Sequence, residues 1–128
     1  MKSLFITLPT KNYTQGFYYE DWLFEIKNQF NCDVFYIKRN QLPNLKAYDL
    51  IILGHSFVDY INKLSRIKSL NIENSIYLKN IFKKDNLLNN LKISPALKIL
   101  FSKNDYKSIK TKSILMEFLK VKTCITHS

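Results

Sequence analysis

Along the chain, short apolar blocks alternate with longer stretches whose apolar residues recur at helical spacing. The most informative block is Tyr48-Asp49-Leu50-Ile51-Ile52-Leu53-Gly54-His55-Ser56. Four consecutive apolar residues are too few for a buried helix and lack the alternation of a half-exposed strand. They predict a strand covered on both faces, as in a parallel sheet. Gly54 is expected to turn the chain at its end, leaving His55 and Ser56 just beyond the carboxyl terminus of the strand.

The same reading gives the other elements. Leu4, Phe5, Ile6 and Leu8 predict a first strand over Ser3–Leu8, ended by Pro9, which donates no ladder hydrogen bond. A polar loop follows, running from Pro9 to Gly16. Trp22, Leu23, Ile26 and Phe30 share one face of a helix over Phe17–Phe30. Val34, Phe35, Tyr36 and Ile37 form the second strand, Asp33–Ile37, and the block described first is the third. Phe57, Ile61 and Leu64 line a helix over Phe57–Ile67, with Ser56 as its expected N-cap. Residues 68–94 read as mostly helix, broken near Asp85-Asn86, with Ile76-Tyr77-Leu78 as an alternative short strand. Leu97–Phe101 is the fourth strand, with Lys98 interrupting its apolar run. A helix within Asn104–Lys120 turns Ile109, Met116 and Leu119 inward, and Val121–Thr126 is the fifth strand.

Strands alternating with helices imply an α/β fold with a five-stranded parallel sheet and right-handed crossovers. The expected strand order is 3-2-1-4-5, with the first strand central. Its carboxyl edge, where open α/β sheets bind ligands, would gather the loop after the first strand, Gly54-His55-Ser56, Lys103-Asn104-Asp105-Tyr106 and Thr126-His127-Ser128.

Composition narrows the possibilities. The 128 residues, 46% hydrophobic and 14% aromatic, suit one globular domain over 1–128. No apolar run approaches the roughly 20 residues of a membrane-spanning helix, and the N-terminal apolar stretch is too short for a signal peptide, so a cytoplasmic protein is expected. Cys32 and Cys124 have no metal-ligand spacing and read as reduced core thiols, not disulfide-bonded. Residues 1–60 carry six basic and six acidic groups, so the whole net charge of +10 resides in residues 61–128. Peripheral contact with an anionic inner-membrane face is one expectation from that asymmetry. Only Arg39 and Arg66 are arginines, and the abundance of Lys, Asn and Ile fits a compositional bias equally well. Aromatics are not interleaved with the basic residues, which argues against nucleic acid as a partner.

The candidate chemistry lies at the carboxyl edge. His55 and His127, the only histidines, both fall at predicted strand ends and are candidate catalytic bases near neutral pH. Lys103 is a cation for a phosphate or carboxylate, and Asn104 or Asp105 would cap the next helix. Lys11, Tyr13 and Gly16 in the first loop, Gly54 and Ser56 after the third strand, Tyr106, and Ser128 complete the candidate binding residues. An aromatic patch of Tyr13, Tyr18, Tyr19 and Trp22 stands beside the first loop. Two glycines in the whole chain exclude a multi-glycine phosphate loop. No metal site and no cofactor is expected.

Three stretches together resemble the N-terminal half of bacterial GT-B-type glycosyltransferases that build surface polysaccharides. They are Asp49-Leu50-Ile51-Ile52-Leu53-Gly54-His55-Ser56, then Lys98-Ile99-Leu100-Phe101 leading into Lys103-Asn104-Asp105-Tyr106, and, after a lysine-rich helix, Thr123-Cys124-Ile125-Thr126-His127-Ser128. The resemblance implies a Rossmann-like three-layer sandwich whose carboxyl edge binds a glycan or lipid-linked acceptor, opposite a C-terminal half that binds the nucleotide sugar. A chain of 128 residues has no room for that second half, so the implied domain is inactive by itself. A non-enzymatic α/β module for a protein partner or small anion is the alternative.

Overall fold

The computed structural model describes residues 2–8, 29, 31–54, 56–65, 75–103 and 109–127. The strands are β1 (Ser3–Thr7), β2 (Asp33–Tyr36), β3 (Leu50–Leu53), β4 (Leu97–Lys103) and β5 (Thr123–His127). Among the described residues the helices are α1 (Ser56–Ser65), α2 (Ser75–Lys84), α3 (Asn86–Ile93) and α4 (Ile109–Leu119), with a 3-10 turn at Leu45–Ala47 before β3. All five strands run parallel in one sheet, as the alternation of elements predicts. The predicted helix over Phe17–Phe30 and the Tyr13, Tyr18, Tyr19 and Trp22 patch lie outside the described residues.

The strand order is 2-1-3-4-5, which corrects the expected 3-2-1-4-5. The reason is in the side chains. Leu50, Ile51, Ile52 and Leu53 of β3 are all buried, whereas β2 is exposed at both ends, Asp33 and Tyr36, and only half-buried at Val34 and Phe35. A strand that is apolar on both faces gains about 2 kcal/mol per fully buried aliphatic side chain, and a central position buries both faces. β3 therefore takes the centre, and the half-polar β2 takes the edge. The connection from Ile37 to Asp49 carries the chain across β1 to reach that position. It is pinned where Ile37 donates to the Thr7 carbonyl at 2.8 Å and Asp49 donates to the Lys2 carbonyl at 2.8 Å.

The steps from β2 to β3, β3 to β4 and β4 to β5 all move in one direction across the sheet. Right-handed crossovers then lie on one face. On that face Leu4, Ile6, Ile51, Leu53 and Leu100 of the strands pack with residues of α1 to α4. The opposite face carries a smaller cluster of Phe5, Cys32, Leu50 and Ile52, with Val34, Ile99 and Phe101 against it. The two layers of the expected three-layer sandwich that fall within the described residues are thus the sheet and the α1–α4 layer.

Residues 75–93 are helical and broken at Asp85, as expected; Ile76-Tyr77-Leu78 is helix, not strand. Asp85 closes α2 through its N–H to the Phe82 carbonyl at 3.2 Å and caps α3 by accepting from the Leu88 N–H at 2.9 Å. On α4 Leu119 is buried as expected, but the inward face is extended by Ile114, Leu115 and Phe118, and Met116 is only partly buried. Lys98 points into the helical face, as its neighbour two residues on, Leu100, does. It is 4% exposed and its ammonium donates to the Ser94 carbonyl at the end of α3, at 2.8 Å. A cation there complements the negative helix terminus. Cys32 and Cys124 are not disulfide-bonded and lie near opposite edges of the sheet. Three strands between them at about 4.8 Å spacing put a bridge out of reach. No described helix is long and apolar enough to cross a membrane.

Candidate functional site

The corrected order moves the point at which the chain reverses direction across the sheet. In the order 2-1-3-4-5 the crevice opens between the carboxyl ends of β1 and β3. Gly54 and Ser56 follow β3, so the stretch that the sequence singled out stands at that crevice, against the residues that leave β1.

Ser56 is 2% exposed, and its hydroxyl is committed across the crevice. It accepts the Leu8 N–H at 2.9 Å and lies 2.7 Å from the Thr7 hydroxyl, which in turn is 3.3 Å from the Leu8 carbonyl. Ser56 is therefore the first residue of α1 and a tie between β1 and β3, which corrects its expected role as N-cap. The Gly54 N–H donates to the Ile6 carbonyl at 3.0 Å, and its own carbonyl accepts from Phe57 at 2.9 Å, starting the helix. Gly54 is not in the left-handed region. Its role is closeness: a Cβ there would meet the Phe5 ring at 2.7 Å and 3.0 Å and the Ile6 carbonyl oxygen at 3.3 Å.

The other expected site residues fall as follows. Lys103 and His127, expected just beyond their strands, are the last residues of β4 and β5 and pair in register. The ladder outruns the apolar residues because backbone pairing needs no apolar side chain. Leu53 pairs with Leu100, so β4 extends three residues, about 10 Å, past the end of β3. Lys11, Tyr13, Gly16, His55, Asn104, Asp105, Tyr106 and Ser128 lie outside the described residues.

Beside the crevice, on the helical face, is a cleft of about 800 Å³. Leu8 and Ile37, the residues after β1 and β2, form part of its floor, with Leu64 of α1 and Leu87 of α3. Its rim carries Lys38, Arg39, Lys63 and Lys84, all exposed. Lys38 to Gln41 form a turn closed by the Gln41 N–H to the Lys38 carbonyl at 3.3 Å, with Asn40 at φ 62°. A left-handed third residue fits a type II turn, and asparagine tolerates it. The turn sets Lys38 and Arg39 at the mouth. Among the described residues none of the four cations is ion-paired; the one ion pair is Lys79 with Glu117, at 3.2 Å, and neither residue lines the cleft.

The single carboxylate among the described residues lining the cleft, Asp85, is already engaged. One oxygen accepts the Tyr60 hydroxyl at 2.8 Å and the other the Leu88 N–H at 2.9 Å. Burial, then the bond to Asp85 and its negative charge, push the Tyr60 phenol far above its ordinary value, so it stays neutral and donating. Sequence reading missed this cleft because its residues come from four separate segments, each unremarkable alone. The one signal available was Arg39, one of only two arginines, in the loop after the second strand. Among the described residues no group of three or more His, Cys, Asp or Glu side chains could hold a metal ion. No family model matches the chain, and no curated protein matches it.

Proposed function

We propose that the chain is the acceptor-side, N-terminal domain of a GT-B-type glycosyltransferase, which binds a glycan or lipid-linked acceptor and needs a nucleotide-sugar-binding half for activity. The observation that carries this reading is the crevice between β1 and β3 opening beside a sugar-sized cleft with an apolar floor and a polar rim. Pockets of about 300–1,000 Å³ with a few placed polar groups are the usual form of small-molecule sites. The motif resemblance adds the direction: His55 and His127 as bases for the acceptor hydroxyl, Lys103 as a cation near the transferred group. The second reading, a non-enzymatic module for a small anion, is favoured by the four unpaired cations of the rim. Contact with an anionic membrane face would rest on the same basic character.

The two readings separate in a titration followed by the amide resonances of isotope-labelled chain. Neutral oligosaccharides should shift Leu8, Ile37, Gly54 and Ser56. UDP-, GDP- and CMP-sugars should bind no tighter than the millimolar range, on the order of −4 kcal/mol, because no glycine-rich loop brings backbone close to a diphosphate. A micromolar nucleotide-sugar complex lost on His55→Ala or Lys103→Ala would overturn the acceptor-side assignment.

A further inference from the structure

We infer that the cleft is a subsite for an anionic oligosaccharide, a glycan carrying carboxylate, sulfate or phosphate groups along its length; the inference rests on the reading that the site takes a glycan. The charges are what distinguish this cleft from a neutral sugar site. Lys38, Arg39, Lys63 and Lys84 line it, and its only described acid is already bonded to Tyr60 and Leu88. None of the four cations is ion-paired among the described residues, and the Asp85 charge offsets only one of them. They are also spread over three elements: the turn after β2, the last turn of α1 and the last residue of α2. Such spacing suits charges distributed along a chain better than one compact phosphate. The apolar floor of Leu8, Ile37, Leu64 and Leu87 can take the CH faces of pyranose rings, while Arg39 offers a planar fork for a carboxylate. A single-stranded nucleic acid would be a poorer fit. It needs stacking platforms, and Tyr60 is the only aromatic residue among the described lining.

The test is calorimetry on the full chain with tetragalacturonate, with maltotetraose as its neutral counterpart, with propane-1,2,3-tricarboxylate as a sugar-free anion, and with a short oligothymidylate. The expected result is tetragalacturonate binding at least tenfold tighter than maltotetraose. Arg39→Ala and Lys63→Ala should each weaken it at least fivefold, and Lys122→Ala, outside the cleft, should leave it unchanged. Raising the salt concentration should close the gap between the charged and neutral sugars. Equal binding of the two tetrasaccharides overturns the charge inference and leaves the glycan reading standing. The tricarboxylate binding as tightly as tetragalacturonate overturns the glycan reading and, with it, the inference. Oligothymidylate binding tighter than tetragalacturonate, insensitivity to both cleft substitutions, or no binding by any probe also overturns the inference.

Discussion

Ser56→Ala tests the tie on which the crevice depends. The Ser56 hydroxyl is the acceptor for the buried Leu8 N–H at 2.9 Å and the partner of the Thr7 hydroxyl at 2.7 Å. Alanine removes both bonds and introduces almost no change in volume. An orphaned buried N–H costs about 1–3 kcal/mol, and the second hydrogen bond adds about 1 kcal/mol at most, because Thr7 retains the Leu8 carbonyl. The sum is about 1–4 kcal/mol, a large part of the roughly 5–15 kcal/mol that holds a domain folded. With a urea m-value of about 2 kcal/mol/M, the unfolding midpoint should fall by about 0.5–2 M. Thr7→Val should cost less, about 1 kcal/mol, because it leaves the Leu8 N–H bonded to Ser56. Amide hydrogen exchange supplies an independent readout: Leu8 is protected in the native protein and loses protection selectively in Ser56→Ala. A Ser56→Ala midpoint indistinguishable from that of the native chain, or a larger effect from Thr7→Val, would show that the tie does not hold β1 to β3.

Three further outcomes are expected. Gly54→Ala should destabilise by about 1–3 kcal/mol through the clash with the buried Phe5 ring, and Phe5→Leu should recover part of that loss when combined with it; additive costs in the double variant would refute the steric account. Lys98 has its pKa lowered below 10.5 by burial and then by the nearby Lys120 charge, so the unfolded chain binds more protons between the lowered value and 10.5. Native stability relative to Lys98→Met should therefore rise with pH through that window, and denaturation curves at pH 7 and pH 10 showing a constant difference would contradict it. Lys120 ends α4 at φ 61°, with the Val121 N–H bonded to the Met116 carbonyl at 2.8 Å, so Lys120→Gly should raise stability by about 1 kcal/mol by removing the left-handed penalty. A lower thermal midpoint for that variant would count against the strain argument.

Much of the fold was legible because periodicity is a local property. The blocks at Leu4–Ile6, Leu50–Leu53 and Leu97–Phe101 marked strands, and Asp85 marked the break between α2 and α3, where its side chain caps one helix as its backbone ends the other. The order of strands was less accessible. Its signal was present in the contrast between the wholly apolar Leu50–Leu53 and the mixed Asp33–Tyr36, which assigns the first to the centre and the second to the edge. Giving the edge to the third strand set aside the consequence of its own apolar pattern. Lys98 looked like an interruption because sequence shows a charge in an apolar run and not the carbonyl that receives it.

By itself, then, the sequence determined the parallel α/β class, the number of strands and the importance of Gly54 and Ser56. Each of these follows from short-range pattern: side-chain alternation, continuous apolar runs, small residues at a strand end. Tertiary structure alone decided that Ser56 ties β1 to β3 instead of capping a helix and that Lys38, Arg39, Lys63 and Lys84 border one cleft. Those facts join positions up to 49 residues apart in the chain, as Thr7 and Ser56 are. Which distant residues meet depends on the global packing that buries β3 on both faces, and no local window of sequence contains that choice.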